Sequence, residues 1–255
     1  MNIIVLVKSA IDDSELRPDQ SGRPVLKGAA TKMSNFDANG VEAAVALKDK
    51  QGGTVTVLSL GGIDSKKAIK EALAMGGTRA VHILTGPADS PDSLGTAYSL
   101  AKAIERLGGA DLVVCSEGAS DTYQGLVGPM VAEFLGLPFL AYARRVEVDG
   151  GTIRCEQGLE GVVKVLAAKL PAVVSVVSET NQPRYPTLLQ VMVAGKKPIE
   201  EVPFSSLKEA DALRTAAKVL DVVLQSSDRK KVMIEGPPEE GAEKLIAALR
   251  QEGVL

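Results

Sequence analysis

Thr54-Val55-Thr56-Val57-Leu58-Ser59-Leu60-Gly61-Gly62-Ile63-Asp64-Ser65 begins as a nearly continuous apolar, β-branched run and ends in a glycine pair followed by helix-capping residue types. A strand made from such a run is apolar on both faces and needs cover on both, the condition of a parallel strand inside an α/β sheet. The next segment completes the unit: residues 64–75 place Ala68, Ile69, Ala72 and Leu73 on one helical face and stop at Gly76-Gly77. The same rhythm recurs along the chain. Residues 3–7, 80–84 and 111–116 are further buried-strand runs. Residues 37–50 gather Val41, Ala44, Val45 and Leu47 before Gly52-Gly53, residues 93–107 gather Leu94, Ala97, Leu100, Ala101 and Ile104 before Gly108-Gly109, and residues 123–135 stop at Gly136. Four strand and helix units in a row predict a doubly wound, mostly parallel α/β sheet with right-handed crossovers.

The rhythm changes after Pro138. Residues 144–148, 152–157 and 161–166 predict an antiparallel extension, its first two strands joined by the turn Asp149-Gly150-Gly151, and residues 172–177 predict one more buried strand. The sheet is expected to close near Ser178, giving an α/β core over residues 1–178. Residues 179–199, punctuated by Pro183, Pro186 and Pro198, form a loop and short helix. Residues 200–255 form an arm with a β-branched run at 219–224, the breaker Gly236-Pro237-Pro238 and an amphipathic helix over 239–252. Such an arm needs a surface to lie on, and a partner subunit is the simplest one.

Composition removes several function classes. Apolar residues at 45% and charged residues at 24% are those of an ordinary globular protein. The formal charge of −3 and the lack of a long basic tract leave no electrostatic footprint for nucleic acid. Cys115 and Cys155 have neither metal-ligand spacing nor disulfide-scaffold density and read as reduced, buried thiols. His82, the single histidine, sits in a strand-like run and reads as a polar strand residue, not a catalytic base. The start Met1-Asn2-Ile3-Ile4-Val5-Leu6-Val7-Lys8 has no cationic leader and reads as a strand, and no apolar run approaches membrane-spanning length, so a cytoplasmic protein is expected.

In an open parallel sheet ligands lie beyond the carboxyl ends of the strands, so the loops there carry the candidate chemistry. Gly61-Gly62 followed by Asp64 and Ser65 suits an anion at a helix N-terminus, and equally a plain tight turn with an N-cap. The segment also resembles the Ser-Gly-Gly-x-Asp-Ser loop of ATP pyrophosphatases, except that Leu60 occupies the first serine position and the loop follows the wrong strand. The fullest loop is Ser116-Glu117-Gly118-Ala119-Ser120-Asp121-Thr122-Tyr123-Gln124-Gly125-Leu126-Val127-Gly128-Pro129. Its small and hydrogen-bonding residues suit a diphosphate or ribose held by backbone amides, or Asp121 or Thr122 simply caps the next helix.

Taken together, these segments resemble the beta subunit of electron transfer flavoproteins from about Asn2 to Lys197. The carrying motifs are Val7-Lys8 with Ile11-Asp12, Ser34-Asn35-Phe36-Asp37 before Val41-Glu42-Ala43-Ala44, Ala72-Leu73-Ala74-Met75-Gly76-Gly77, the loop from Ser116 to Pro129, Lys169-Leu170-Pro171-Ala172-Val173-Val174, and Asn181-Gln182-Pro183-Arg184-Tyr185-Pro186-Thr187-Leu188. The resemblance implies an α/β nucleotide-binding core and a C-terminal arm wrapped around an alpha subunit. It also implies one FAD held mainly by that subunit, which shuttles electrons from dehydrogenases to an acceptor. That acceptor can be a membrane one, which nothing in the sequence indicates directly. The family's beta core holds AMP, or a second FAD in electron-bifurcating members. The flavin does the redox work, so no enzymatic nucleophile or acid and base pair is expected in this chain.

Carried over position by position, the family's nucleotide contacts fall on Leu6, on Ser34, Asn35, Phe36 and Asp37, on Leu60, and on the stretch from Ser116 to Val127. The recognition element for dehydrogenases falls on Tyr185, Leu188 and Leu189, with Leu188 as the anchor. Several positions depart from the family pattern. Ser34-Asn35 replaces the usual Asn-Pro, and Gly125-Leu126-Val127 stands where AMP-binding members have Asn-Gln-Thr. Ala10-Ile11-Asp12-Asp13 lacks the proline of bifurcating members, and the loop is two residues longer than theirs. AMP is therefore the first expectation and a second FAD the next. The alternative is a stand-alone adenine-nucleotide-binding regulator of the universal-stress type, which shares the α/β core and leaves the arm unexplained.

Overall fold

The computed structural model describes the chain apart from residues 13, 15, 22, 27, 87, 88, 90, 208–216, 218 and 224–230. A nine-stranded sheet forms its centre. The first strand, β1 (Asn2–Leu6), pairs in parallel with β4 (Thr54–Gly61) on one side and with β6 (Leu112–Ser116) on the other. Outward from β4 lies β5 (Arg79–Leu84); outward from β6 lies β10 (Ala172–Val176), then β7 (Phe139–Asp149), all parallel. The antiparallel β8 (Thr152–Leu159) and β9 (Val162–Lys169) extend the sheet past β7, their entry turn held by positive φ at Gly150 (51°) and Gly151 (73°). The doubly wound, mostly parallel α/β architecture and its antiparallel extension are those the apolar runs predict.

Two helical layers cover the sheet. α1 (Asn35–Gln51) and α2 (Ser65–Ala74) bury Val41, Val45, Ile69 and Ala72 against Ile3, Val5, Val57 and Val114. α3 (Ser93–Arg106) and α4 (Val127–Leu135) bury Leu100, Ile104 and Val131 against the opposite strand face, Ile4, Leu58 and Val113. The near-continuous apolar runs are thus used on both faces, as two-sided cover requires. The two cysteines are buried and separate, and His82 is a fully buried residue of β5 whose Nε2 donates to the Gly61 carbonyl at 3.0 Å. Burial holds that imidazole below its usual range, hence neutral.

Several expectations need correction. The sheet does not close at Ser178: Ile199–Pro203 (β11) returns to pair in parallel with β5 at the far edge, and Leu207 beyond it is buried. Its five residues carry only Ile199 and Val202 as partly buried apolar positions, too few for a pattern. α4 begins at Val127 and not at residue 123, because Tyr123 (φ 42°) and Gly125 (φ 66°) break the helical path. Neither Asp64 nor Ser65 caps α2 through its side chain. A small antiparallel pair, β2 (Ser9–Ile11) and β3 (Thr31–Met33), sits between β1 and α1 and has no clear sequence signal.

Beyond the core, α5 (Leu188–Lys196) starts with a capping box in which the Thr187 hydroxyl accepts from the Gln190 N–H and the Gln190 side chain accepts from the Thr187 N–H at 2.7 Å. α6 (Pro238–Gln251) has no buried residue, and Val219, Leu220 and Val223 are exposed without strand pairing; Leu224, the end of that run, lies outside the described residues.

Candidate functional site

The chain leaves β1 toward β4 and β5 on one side, then crosses back to β6 on the other, so the carboxyl ends of β1 and β6 flank a topological switch point, where ligands bind in open α/β sheets. Lys8 follows β1 there and Ser116 ends β6. Between them stands Asp37 in the first turn of α1. Its Oδ2 accepts from the Lys8 backbone N–H at 2.6 Å, and its Oδ1 accepts from the Ser116 hydroxyl, which also lies 2.9 Å from the Gly118 carbonyl. Burial pushes the Asp37 carboxyl up to about 7, against the opposing pull of the Ser116 hydroxyl and the Lys8 N–H.

The loop after β6 is tied to the same point. Ser120 N–H donates to the buried Ser34 hydroxyl at 3.2 Å. Lys8 Nζ bonds Asp121 at 2.6 Å and reaches the Thr122 hydroxyl at 3.3 Å. The Tyr123 hydroxyl donates to Glu117 at 2.8 Å, and this bond pushes the phenol above its usual range. Ala119 accepts from the Tyr123 N–H, and the Gln124 side chain accepts from the Ser93 hydroxyl. Phe36 and Tyr123 pack ring to ring, with centroids 5.4 Å apart. Leu126 precedes α4 without a side-chain cap, so the first amides of α4, from Val127 on, receive no capping oxygen from it. Asp121 and Thr122 are thus occupied by Lys8 and do not cap the helix. Cys115 just below is a thiol pushed up to about 12 by burial and by Asp37, hence unreactive.

The structure brings most of the expected residues together. Ser34, Phe36, Asp37 and the stretch from Ser116 to Val127 converge on the switch point, with Leu6 at the end of β1 and Leu60 near the end of β4. The Leu6 side chain itself is buried in the layer under α3 and α4. Asn35 stands apart: it is exposed and lines a groove between α2 and α5. Sequence reasoning missed Tyr142, a β7 residue at positive φ (53°) whose hydroxyl comes within 3.6 Å of where a Gly125 Cβ would sit. Such a conformation in a strand leaves no mark in the sequence. Lys8, quoted only for its motif, proves to be the cation of the site.

The electrostatics favour a ligand that offers both donors and acceptors. Ser9 and Ser120 each bury a hydroxyl oxygen that has no partner among the described residues, and such groups are normally satisfied. With the uncapped start of α4 and the Lys8 ammonium nearby, they fit the hydroxyls and phosphate of a nucleotide. Among the described residues no three His, Cys, Asp or Glu side chains converge to hold a metal ion, and no helix is long and apolar enough to cross a membrane.

The docking candidates lie on a separate surface. Tyr185, Leu188 and Leu189 are 96%, 77% and 70% exposed. Their approach is pinned to α1: Arg184 forks onto Glu42 at 2.7 and 3.0 Å and reaches Asp49 at 3.2 Å, while the side chains of Asn39 and Asn181 each bond the other's backbone carbonyl. Burial works against ionisation of Glu42, yet the Arg184 fork holds its carboxyl below the usual range.

Comparison with known proteins gives the family. The family model described as electron transfer flavoprotein domain matches residues 25–207. Over its full length the chain is 31% identical to the electron transfer flavoprotein subunit beta of Thermoanaerobacterium thermosaccharolyticum, with all of both chains covered. It is 32% identical to that of Bacillus subtilis, covering 99% of this chain and 98% of the relative, and 31% identical to that of Clostridium acetobutylicum, covering 99% of each. With most of the chain matched by the family model and all of it by its relatives, this protein belongs to the electron transfer flavoprotein family, among its beta subunits.

Proposed function

We propose that the chain pairs with an alpha subunit to form a heterodimer that carries electrons from dehydrogenases to an acceptor, and that it binds AMP at the switch point between β1 and β6. The observation that supports the nucleotide reading is the joint convergence of Lys8, Asp37, Ser34 and the loop from Ser116 to Val127, with the buried Ser120 hydroxyl of that loop left without a partner among the described residues. FAD, held mainly by the alpha subunit, supplies the one-electron and two-electron chemistry when bound. The residues of this chain bind and orient. Lys8, now paired with Asp121, and the first amides of α4 would hold the phosphate, while Ser34 and Asp37 fix the loop and no side chain of the site acts as a nucleophile. Two separate buried thiols suit a reducing compartment, and the proposed location is the cytoplasm.

A second FAD in place of AMP is favoured by one feature, the aromatic lip of Phe36, Tyr123 and Tyr142, which offers ring surfaces to a flavin. The arm supports the heterodimer: exposed Val219, Leu220, Val223, Leu245 and Ile246 are apolar area that a partner would remove from water. Denaturing the purified complex and counting flavin and adenine nucleotide per heterodimer tests the reading. One flavin with one AMP supports the first form and two flavins the second. Release of neither AMP nor a second flavin refutes the nucleotide site.

A further inference from the structure

On the α2 side of the sheet lies a second concavity, separate from the switch point. It is a groove of about 620 Å³ between α2 and α5, within the size range of small-molecule pockets. Its floor is apolar: Met33, Ala74, Met75, Pro186 and Val191 face it. One stripe of α2 forms a wall, with Lys67, Lys70, Glu71 and Ala74 at the spacing that shares a helical face.

The charge along this wall is unbalanced. Glu71, the one acidic residue among the described lining residues, accepts from the Met33 N–H at 2.9 Å and keeps its charge, so it offsets one of the two lysines and leaves the wall net positive. Lys32 is paired with Asp12, and Arg184 with Glu42 and Asp49. Lys67 donates only to the Thr31 carbonyl, and among the described residues neither Lys67 nor Lys70 has a carboxylate partner. An apolar floor beneath a wall with net positive charge, its two ammonium groups without a carboxylate partner, suits an amphipathic anion. A free phosphate would meet the lysines and leave the floor wet, whereas a neutral hydrocarbon would fill the floor and leave the charge uncompensated. Met33 and Met75 are flexible enough to follow a linear chain.

We propose that the groove binds a small amphipathic anion, an unbranched aliphatic chain with a carboxylate head, with its chain between α2 and α5 and its head at Lys67 and Lys70. This site does not depend on the nucleotide reading, and it shares Tyr185 and α5 with the docking element without requiring that reading. The test is calorimetric titration with decanoate of the full chain, both alone and purified with its partner subunit, using decanol and inorganic phosphate as controls. Saturable decanoate binding at one site is expected, about tenfold tighter than decanol and without measurable phosphate binding at the same concentration. Lys70→Glu should weaken decanoate by about fivefold, the effect of one exposed charge contact.

Gly195→Leu should weaken decanoate binding by about tenfold or more. Gly195 lines the groove within α5, and a Cβ there meets nothing within 4 Å, so a leucine adds bulk at the groove without displacing the fold. Unchanged thermal unfolding of this variant would keep the loss of binding specific to the groove. The proposal is overturned by absence of saturable decanoate binding, by equal affinity for decanol, by phosphate binding as tight as decanoate, or by unaltered affinity in Gly195→Leu. It is also overturned if the chain alone binds decanoate and the complex does not, which would make the groove a partner surface.

Discussion

Replacing Asp37 by asparagine should raise stability at neutral and alkaline pH and remove a component of its pH dependence. In the fold the carboxyl titrates at about 7 instead of its ordinary 3.8, so the folded state keeps a proton that the unfolded chain has lost. Below about pH 3.8 both states are protonated and Asp37 contributes no difference. As pH rises from there to about 7 the unfolded state binds fewer protons than the folded one, so stability falls, and above about 7 the loss is complete. The distance between the two values corresponds to about 4 kcal/mol. Asparagine has the same shape and no charge. Its oxygen accepts from the Lys8 N–H, and its amide donates to the Ser116 oxygen, which turns its own hydroxyl to the Gly118 carbonyl 2.9 Å away. No polar group is orphaned. Urea unfolding of Asp37→Asn and the parent chain, with m held as a check on two-state behaviour, isolates the effect as the gap between them. That gap should widen in favour of the variant by about 2 to 3 kcal/mol between pH 5 and pH 8. A gap independent of pH, or a variant less stable than the parent at pH 8, would refute the argument and show Asp37 to be stably ionised.

Gly125→Val should empty the nucleotide site: φ is +66°, costing a β-branched residue about 1 to 2 kcal/mol, and a Cβ would lie 3.2 Å from the Glu117 carbonyl. Adenine nucleotide released on denaturation is the readout, and parental content in the variant would contradict the placement. Leu188→Ala should slow electron transfer from the dehydrogenase while changing stability by less than about 0.5 kcal/mol, because the side chain is 77% exposed. Joint loss of flavin and stability would instead make it a core residue. Ending the chain after Leu207 should keep the fold but abolish heterodimer formation in gel filtration, since α6 buries nothing within this chain. Ending it before Ile199 should in addition lower the unfolding midpoint by stripping β11 from β5.

The parallel core was legible because its signals are local. Runs such as residues 3–7 and 111–116 are apolar at every position, and each helix is closed by a glycine pair or single glycine within a few residues. The loop from Ser116 to Val127 could be singled out for the same reason: small residues and hydroxyls crowd a place where a strand turns toward a helix. The resemblance to a family then carried what periodicity could not, the cofactor and the partner.

What the sequence alone determined, then, was the buried strands and the helices of the core and the loops at their ends, but not the short strands β2, β3 and β11. Their arrangement came from the tertiary structure. Only there does β10 slip between β6 and β7, although β8 and β9 intervene in the chain, and only there does β11 join the far edge beside β5. The pairing partner of a strand is chosen by non-local contacts, and a five-residue edge strand leaves too short a pattern to read. The character of Asp37 was equally hidden. In the sequence it is an ordinary acidic residue in a helix's first turn, and its raised pKa arises from burial between β1 and β6, two strands distant in sequence and adjacent in the sheet. Asn35, two residues before Asp37, faces the opposite groove because two helical steps of about 100° each turn it to the other side of α1.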